Sequence, residues 1–238
     1  MWNEKKVSLI LPTYNEKDSI KESIMDFEQL SIIDEIIVIN NNAAMGTSDE
    51  VSQTSALEFH ESKQGYGAAI QRGFKEASGD YIFVCEPDGT FLAKDIHKLL
   101  AYADDVDVVY GSRTIKNFIW EGANMGWFLK FGNWSVAKLM QVLYNTSSLS
   151  DVGCTFRLIK RDALDRIKKE FRITSNFFGP EMMLLTRWNG IPFIQVPVNY
   201  KDRIGESSVT GDFWKAFKLG MQMIWLILTF RFRGYKKK

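Results

Sequence analysis

With 238 residues, 45% of them hydrophobic and 25% charged, the chain can bury a substantial core in one domain, or at most in two small ones. A net charge of +1 excludes a nucleic-acid binder held by bulk electrostatics. The two cysteines, Cys85 and Cys154, lack metal-ligand spacing and suit a reducing compartment without disulfide staples, while His60 and His97 leave imidazole chemistry poorly supplied.

Val7 to Leu11 is a short aliphatic run stopped by Pro12 and reads as a buried strand. That run is too short for a signal peptide. A helix follows from about Ser19, where Ile20, Ile24 and Phe27 recur at helical spacing. Glu35 to Ile39 is a second strand, ending in Asn40, Asn41 and Asn42. Tyr66 to Ala77 is helical, with Ala69, Gly73 and Ala77 as a small-residue face. Tyr81 to Cys85 and Val106 to Tyr110 are further strands, the latter running into Gly111, Ser112 and Arg113. This alternation predicts an α/β fold with a mostly parallel sheet covered by helices. Ligands of such sheets bind at the carboxyl ends of the strands. The polar clusters Thr13 to Glu16, Asn40 to Asn42, Glu86 to Asp88 and Ser112-Arg113 all follow strands, which gathers them at one edge.

The segment FVCEPDGTF, Phe83 to Phe91, ends a buried strand in two carboxylates. Residues two apart in an extended segment point to the same side, so Glu86 and Asp88 converge. They repel unless a cation lies between them. Mg²⁺ or Mn²⁺, held by one or two carboxylates plus substrate phosphates, meets that need. Pro-Asp-Gly is also a good turn sequence by itself, and these residues alone leave both readings open.

VSLILPTYNEKDSI resembles the opening of family 2 glycosyltransferases, whose first strand runs into a P-x-Y-N-E loop. KQGYGAAIQRGFKEASGDYIFVCEPDGTF is similar to that family's next block: glycine-rich loop, helix, buried strand and acidic pair. GSR, DVGCTFRLIKRDAL and VPVNYKDRIGESS extend the likeness, over about residues 7–210, to the subgroup resembling dolichyl-phosphate mannose synthase and bacterial polyprenyl-phosphate glycosyltransferases. The resemblance implies a GT-A-like (Rossmann-like) domain over 1–210, with Mg²⁺ or Mn²⁺ on Glu86 and Asp88. It implies a nucleotide-sugar site at Pro12, Tyr14, Asn15, Glu16, Asn41, Gly65 and Gly67, the glycines allowing close backbone approach to the nucleotide. Asn41 stands where the family often carries an acidic base or ribose contact, and Met45 where an aspartate is usual. Asp151 matches the family's base or acceptor-side carboxylate, and Arg113 and Arg203 match its phosphate contacts. Glu181, near a helix start at Pro180, is a second candidate carboxylate. The subgroup implies transfer with inversion to a polyprenyl phosphate, a nucleophile already largely dianionic at neutral pH.

Residues 211–238 read as an amphipathic helix with a basic tail. The longest uncharged run, Leu219 to Phe230, has 12 residues, about 18 Å as a helix against a hydrocarbon core of ~30 Å. It cannot span. Lys215, Lys218, Gln222, Thr229 and Arg233 share an arc of about 60°, and the remaining surface is apolar and aromatic. With Lys236, Lys237 and Lys238 behind it, the helix suits the headgroup region of a membrane, peripheral on the cytoplasmic face. Asn124 to Leu143 is a second aromatic-rich helix; the two regions, with Trp120 just ahead of this one, carry five of the seven tryptophans. Packing of these helices on one another, or a homo-oligomer seam, is the alternative. Two other functions stay open: transfer to a glycan or lipid hydroxyl, and non-catalytic nucleotide-sugar binding.

Overall fold

Seven strands form one sheet in a computed structural model, in which residues 1–120, 123, 127–205 and 213–233 are described. They are β1 (Val7–Thr13), β2 (Glu35–Asn40), β3 (Leu57–His60), β4 (Tyr81–Val84), β5 (Val108–Ser112), β6 (Arg157–Lys160) and β7 (Phe193–Pro197). Their order is β3-β2-β1-β4-β6-β5-β7. Every pairing is parallel except those of β6, which runs antiparallel to both β4 and β5. The expected mostly parallel sheet is therefore present, with one reversed strand that the sequence pattern did not reveal.

Pro12 does not stop β1. The strand continues to Thr13 against β2, with Pro12 opposite Ile39. Ile10 accepts the N–H of Cys85 from the other side, so alternate residues of β1 turn their polar groups toward β4. Pro12 has that orientation too, beyond the end of β4, where its missing N–H interrupts no ladder.

The helices are α1 (Lys17–Glu28), α2 (Thr47–Val51), α3 (Tyr66–Glu76), α4 (Ile96–Ala101), α5 (Trp127–Tyr144), α6 (Arg161–Ile167), α7 (Phe178–Trp188) and α8 (Phe213–Arg233). On one face α1, α2 and α4 bury Ile20, Ile24, Phe27, Val51 and Leu99 against Leu9, Leu11, Val38 and Phe83. On the other, α3 and α5–α8 cover Ile10, Ile37, Ile82, Val84 and Val108. The small-residue face of α3 lets that helix lie close on β1. A Cβ on Gly73 would come within 2.4 Å of Ile10 Cγ2.

The C-terminal helix docks on the protein. Met223, Ile227 and Phe230 of α8 are buried against α5 and α7. The hydroxyl of Tyr144 donates to the Ile227 carbonyl at 2.7 Å, and Arg187 Nε caps α5 by donating to the Tyr144 carbonyl at 2.9 Å. Trp214, Phe217, Met221, Trp225 and Phe232 remain exposed. The apolar surface expected for this helix is thus two strips, one consumed by the core and one facing outward. Among the described residues no helix is long and apolar enough to cross a membrane. Lys236, Lys237 and Lys238 lie outside the described residues.

Gly73→Ala should cost about 1–3 kcal/mol, because Ile10 is fully buried and has no space to move into. Thermal unfolding would show this as a Tm lowered by several degrees. An unchanged Tm would mean that α3 can slide off β1 at no cost.

Candidate active site

Three loops leave the carboxyl edge of β1, β2 and β4 side by side. The first is held by Glu16, at the start of α1. Its Oε2 accepts the backbone N–H groups of Tyr14 (2.7 Å) and Asn15 (3.0 Å) and the hydroxyl of Thr13 (3.2 Å). Tyr14 and Asn15 are left exposed at the rim, while Pro12 is buried beneath them.

The second loop carries the three asparagines, and each ties down a neighbouring segment through its side-chain amide. Asn40 Nδ2 donates to Ser48 and Glu58, and Asn42 Nδ2 donates to the Ser62 carbonyl and to Gln64. Asn41 is buried; its Nδ2 donates to the carbonyls of Glu61 and Lys63, both at 2.8 Å, and its Oδ1 accepts from Gly65 N at 2.7 Å and from Gln64. The Asn41 amide, expected at a base or ribose, is hydrogen-bonded to the 61–65 loop at both its nitrogen and its oxygen. Met45, by contrast, is almost fully exposed.

Gly65 and Gly67, expected to allow close backbone approach to the nucleotide, pack against the 173–174 segment. Their bare Cα atoms face protein, since a Cβ on Gly65 would lie 2.1 Å from the Thr174 carbonyl and one on Gly67 would lie 2.5 Å from that of Ile173. Gly65 also has φ +141°, which disfavours a side chain. Glu181, in the first turn of α7, fixes this 172–174 segment by accepting the N–H groups of Arg172 and Ile173 at 3.0 Å each. It serves the loop rather than the acidic pair.

The third loop answers the question posed by the two carboxylates. The segment is a turn, with Gly89 at φ +75°, and the turn is what aims the carboxylates. Asp88 is fully buried, and its Oδ1 accepts Thr90 N (3.0 Å) and Thr90 Oγ1 (2.6 Å). Ser19 Oγ steadies the turn by donating to the Pro87 carbonyl at 2.7 Å. Asp88 Oδ2 and Glu86 Oε2 converge on one nitrogen, Arg203 Nη2, at 2.6 and 3.0 Å. Asp88 Oδ2 has no N–H or O–H directed at it, so the contact is ionic only. A buried carboxylate oxygen without a donor beside a second carboxylate fits a hard divalent ion. Among the described residues no group of three or more acidic, cysteine or histidine side chains is placed to hold a metal ion. Burial, then the charge of Asp88, push Glu86 up to about 7 even though Arg203 pulls it down.

Arg113 and Asp151 form a second buried pair. Asp151 Oδ2 accepts Arg113 N and Nε, both at 2.9 Å; its Oδ1 accepts Arg113 Nη2 (3.1 Å), Asn133 Nδ2 (2.5 Å) and Gly153 N (2.9 Å). Burial raises the Asp151 pKa, but Arg113 and these hydrogen bonds outweigh it and hold the carboxyl below the usual range. With both oxygens filled, Asp151 is a poor proton acceptor and a firm holder of Arg113.

The two pairs meet around Tyr200. Its ring lies 5.2 Å from the Arg113 guanidinium and 5.6 Å from the Phe91 ring, and it feels the charges of Asp88, Arg203 and Glu86 as well. Sequence reasoning missed Tyr200, Asn133 and Gln195. Gln195 accepts from Ser150 N and Asp151 N and donates to the Asp151 and Gly111 carbonyls. A glutamine interrupting the apolar β7 sequence FIQVP was the available signal. Ser207 and Ser208, at the end of VPVNYKDRIGESS, lie outside the described residues.

A family model described as glycosyl transferase family 2 matches residues 8–168. The chain is 26% identical over 217 residues to the low-salt glycan biosynthesis hexosyltransferase Agl6 of Haloferax volcanii, covering 88% of this chain and 51% of that one. It is 23% identical over 219 residues to an undecaprenyl-phosphate mannosyltransferase of Micrococcus luteus, covering 87% and 88%. It is 33% identical over 119 residues to a dolichol-phosphate mannosyltransferase of Pyrococcus furiosus, covering 47% and 34%. The chain thus spans about half the first relative's length and a third of the last one's. In fold it is similar to glucosyl-3-phosphoglycerate synthase from Mycobacterium tuberculosis, with a TM-score of 0.72 at 16% identity over 96% of this chain and 80% of that one. The fold is GT-A-like. That enzyme's structures contain UDP with Mn²⁺ or with Mg²⁺.

A carboxyl whose pKa is raised by folding holds a proton that the unfolded chain has already lost. Stability therefore falls as pH rises from about 4.3 toward the folded value of about 7. Glu86→Gln removes this loss. It should raise Tm by about 2–4 °C at pH 8 in metal-free buffer and change little at pH 5. An equal effect at both pH values would show that Glu86 is not strained by its surroundings.

Proposed function

The chain belongs to glycosyl transferase family 2, and from that premise we propose that it moves a sugar from a nucleotide sugar to a polyprenyl phosphate at a membrane surface. The observation that carries this reading is the filled state of Asp151, all of whose accepting capacity goes to Arg113, Asn133 and Gly153. A sugar or lipid hydroxyl needs a free base, whereas a phosphate monoester is already largely ionised at neutral pH. Its difficulty is approach to a second anion, and fixed guanidinium groups reduce that repulsion. The undecaprenyl-phosphate mannosyltransferase, matched along most of both chains, points the same way.

In this reading Pro12, Tyr14, Asn15 and Glu16 shape the nucleoside rim. Asn41, Gly65 and Gly67 hold the loops around it rather than touching the base. Asp88 with Glu86 would hold a Mg²⁺ or Mn²⁺ ion, which would supply positive charge to the leaving diphosphate. Arg113, kept in place by Asp151, receives the acceptor phosphate, and Arg203 serves the diphosphate. An acceptor phosphate oxygen bonds to the anomeric carbon as the bond from that carbon to the donor phosphate breaks. The electron pair leaves on the nucleoside diphosphate, and the sugar is inverted.

The decisive assay incubates the full chain with radiolabelled nucleotide sugars, Mn²⁺ and polyprenyl phosphate. Label should enter the lipid phase. Asp88→Asn should lower the rate by at least about 100-fold. Asp151→Asn should keep a measurable rate, because it weakens the seat of Arg113 without deleting a base. Complete loss in Asp151→Asn, or label moving only to a hydroxyl acceptor, would instead favour base catalysis.

The exposed strip of α8 and the exposed Phe131 and Trp134 of α5 support a peripheral membrane contact. Vesicles containing anionic lipid should sediment the parent protein. Trp225→Glu, at a position 64% exposed, should weaken that binding by about 10-fold and leave Tm unchanged. Equal binding of parent and variant would remove this strip from the membrane contact.

A further inference from the structure

The carboxylate pair of the acidic turn already holds a cation, and that cation belongs to the chain. Arg203 Nη2 lies 2.6 Å from Asp88 Oδ2 and 3.0 Å from Glu86 Oε2, in the space between the two side chains. Its segment is docked by backbone bonds: Lys201 N donates to the Thr90 carbonyl at 2.7 Å, and Ile204 N donates to the Asp88 carbonyl at 3.0 Å. The side chain of Ile204 closes over Gly89, where a Cβ would meet it at 3.0 Å. Arg203 is therefore placed by docked backbone on either side of it, at Lys201 and Ile204.

Resting on the reading that this pair carries a divalent ion on a diphosphate, we infer that Arg203 and the ion compete for the same two carboxylate oxygens. The ion then binds firmly only when a diphosphate arrives with it. Two carboxylates and one guanidinium leave a single net negative charge. A dication added beside Arg203 would put three positive charges against two negative ones in a largely buried space. Arg203 must leave, and a guanidinium leaving buried carboxylates needs another anion of similar geometry, which phosphate offers. Arg113 cannot take over that role, because Asp151 grips it through Nε and Nη2. By linkage the coupling is mutual: diphosphate tightens the ion, and the ion tightens diphosphate. Arg203 is in this sense a positioning residue for the ion, beyond its contact with phosphate. It also keeps the two carboxylates from facing each other unneutralised in the free protein.

The test titrates Mn²⁺ into the full chain and follows free Mn²⁺ by electron paramagnetic resonance, first without nucleotide and then with inorganic pyrophosphate as a base-independent diphosphate. Arg203→Gln should bind Mn²⁺ about 10-fold more tightly than the parent when no diphosphate is present. Arg203→Lys, which keeps a cation, should stay near the parent. Pyrophosphate should tighten the parent's Mn²⁺ binding by at least about 10-fold and that of Arg203→Gln by much less. Circular dichroism confirms the fold, and Arg203→Met takes the place of the glutamine variant if that one unfolds. Competition is overturned if the folded variant lacking the guanidinium binds Mn²⁺ no better than the parent while Asp88→Asn loses it. Should Asp88→Asn bind Mn²⁺ like the parent, the ion lies elsewhere, and the proposed function fails together with this inference.

Discussion

The repulsion between Glu86 and Asp88 sets the terms for the whole carboxyl edge of this sheet. Two acids at the end of a buried strand are tolerable only with positive charge between them, and Arg203 supplies it from a segment more than a hundred residues away. The surrounding structure keeps that arrangement from relaxing. Ser19 holds the Pro87 carbonyl, Thr90 fills one oxygen of Asp88, and the Gly89 turn leaves space for Ile204. One oxygen of Asp88 still lacks a directed donor. Arg203 thus offsets part of the acidic pair's charge without saturating it.

The second ion pair shows the opposite design. Asp151 and Arg113 saturate one another, with Asn133 and Gly153 closing the remaining positions. What brings them together is the reversal of β6. After β5 the chain does not cross under the sheet; it runs through α5 and enters β6 from the edge at which β5 ended. The segment just before β6, with Asp151 and Gly153, is thereby laid beside Arg113, and Gln195 of β7 fastens it there.

The two aromatic helices connect this edge to the protein surface. Asn133 of α5 reaches Asp151, while Phe131 and Trp134, stacked on one another at 6.3 Å, stand on the exposed side of the same helix. The buried face of α8 is fixed to α5 through Tyr144 and Ile227. The helix that bears these exposed rings is thus also the one that holds the Asp151 carboxylate through Asn133.

Much of this was legible in the chain itself. The aliphatic runs of β1, β2 and β4 and the small face of α3 follow from local pattern, because burial on both faces demands apolar residues at every position and close packing demands small ones. The short or partly exposed strands β3, β6 and β7 left no such pattern, since LEFH is largely exposed and RLIK is a two-residue apolar core between charged ends. Asn41, Gly65 and Gly67 stood out by residue type and place in the chain, but their partners are backbone atoms of loops distant in sequence, and only folding could name them. The residues determined by themselves that two acids would end β4 and that cations would be needed near them. Which cation came, and that Asp151 would be saturated while Asp88 was not, depended on strand direction and loop docking, because a charge is compensated through space and not along the chain.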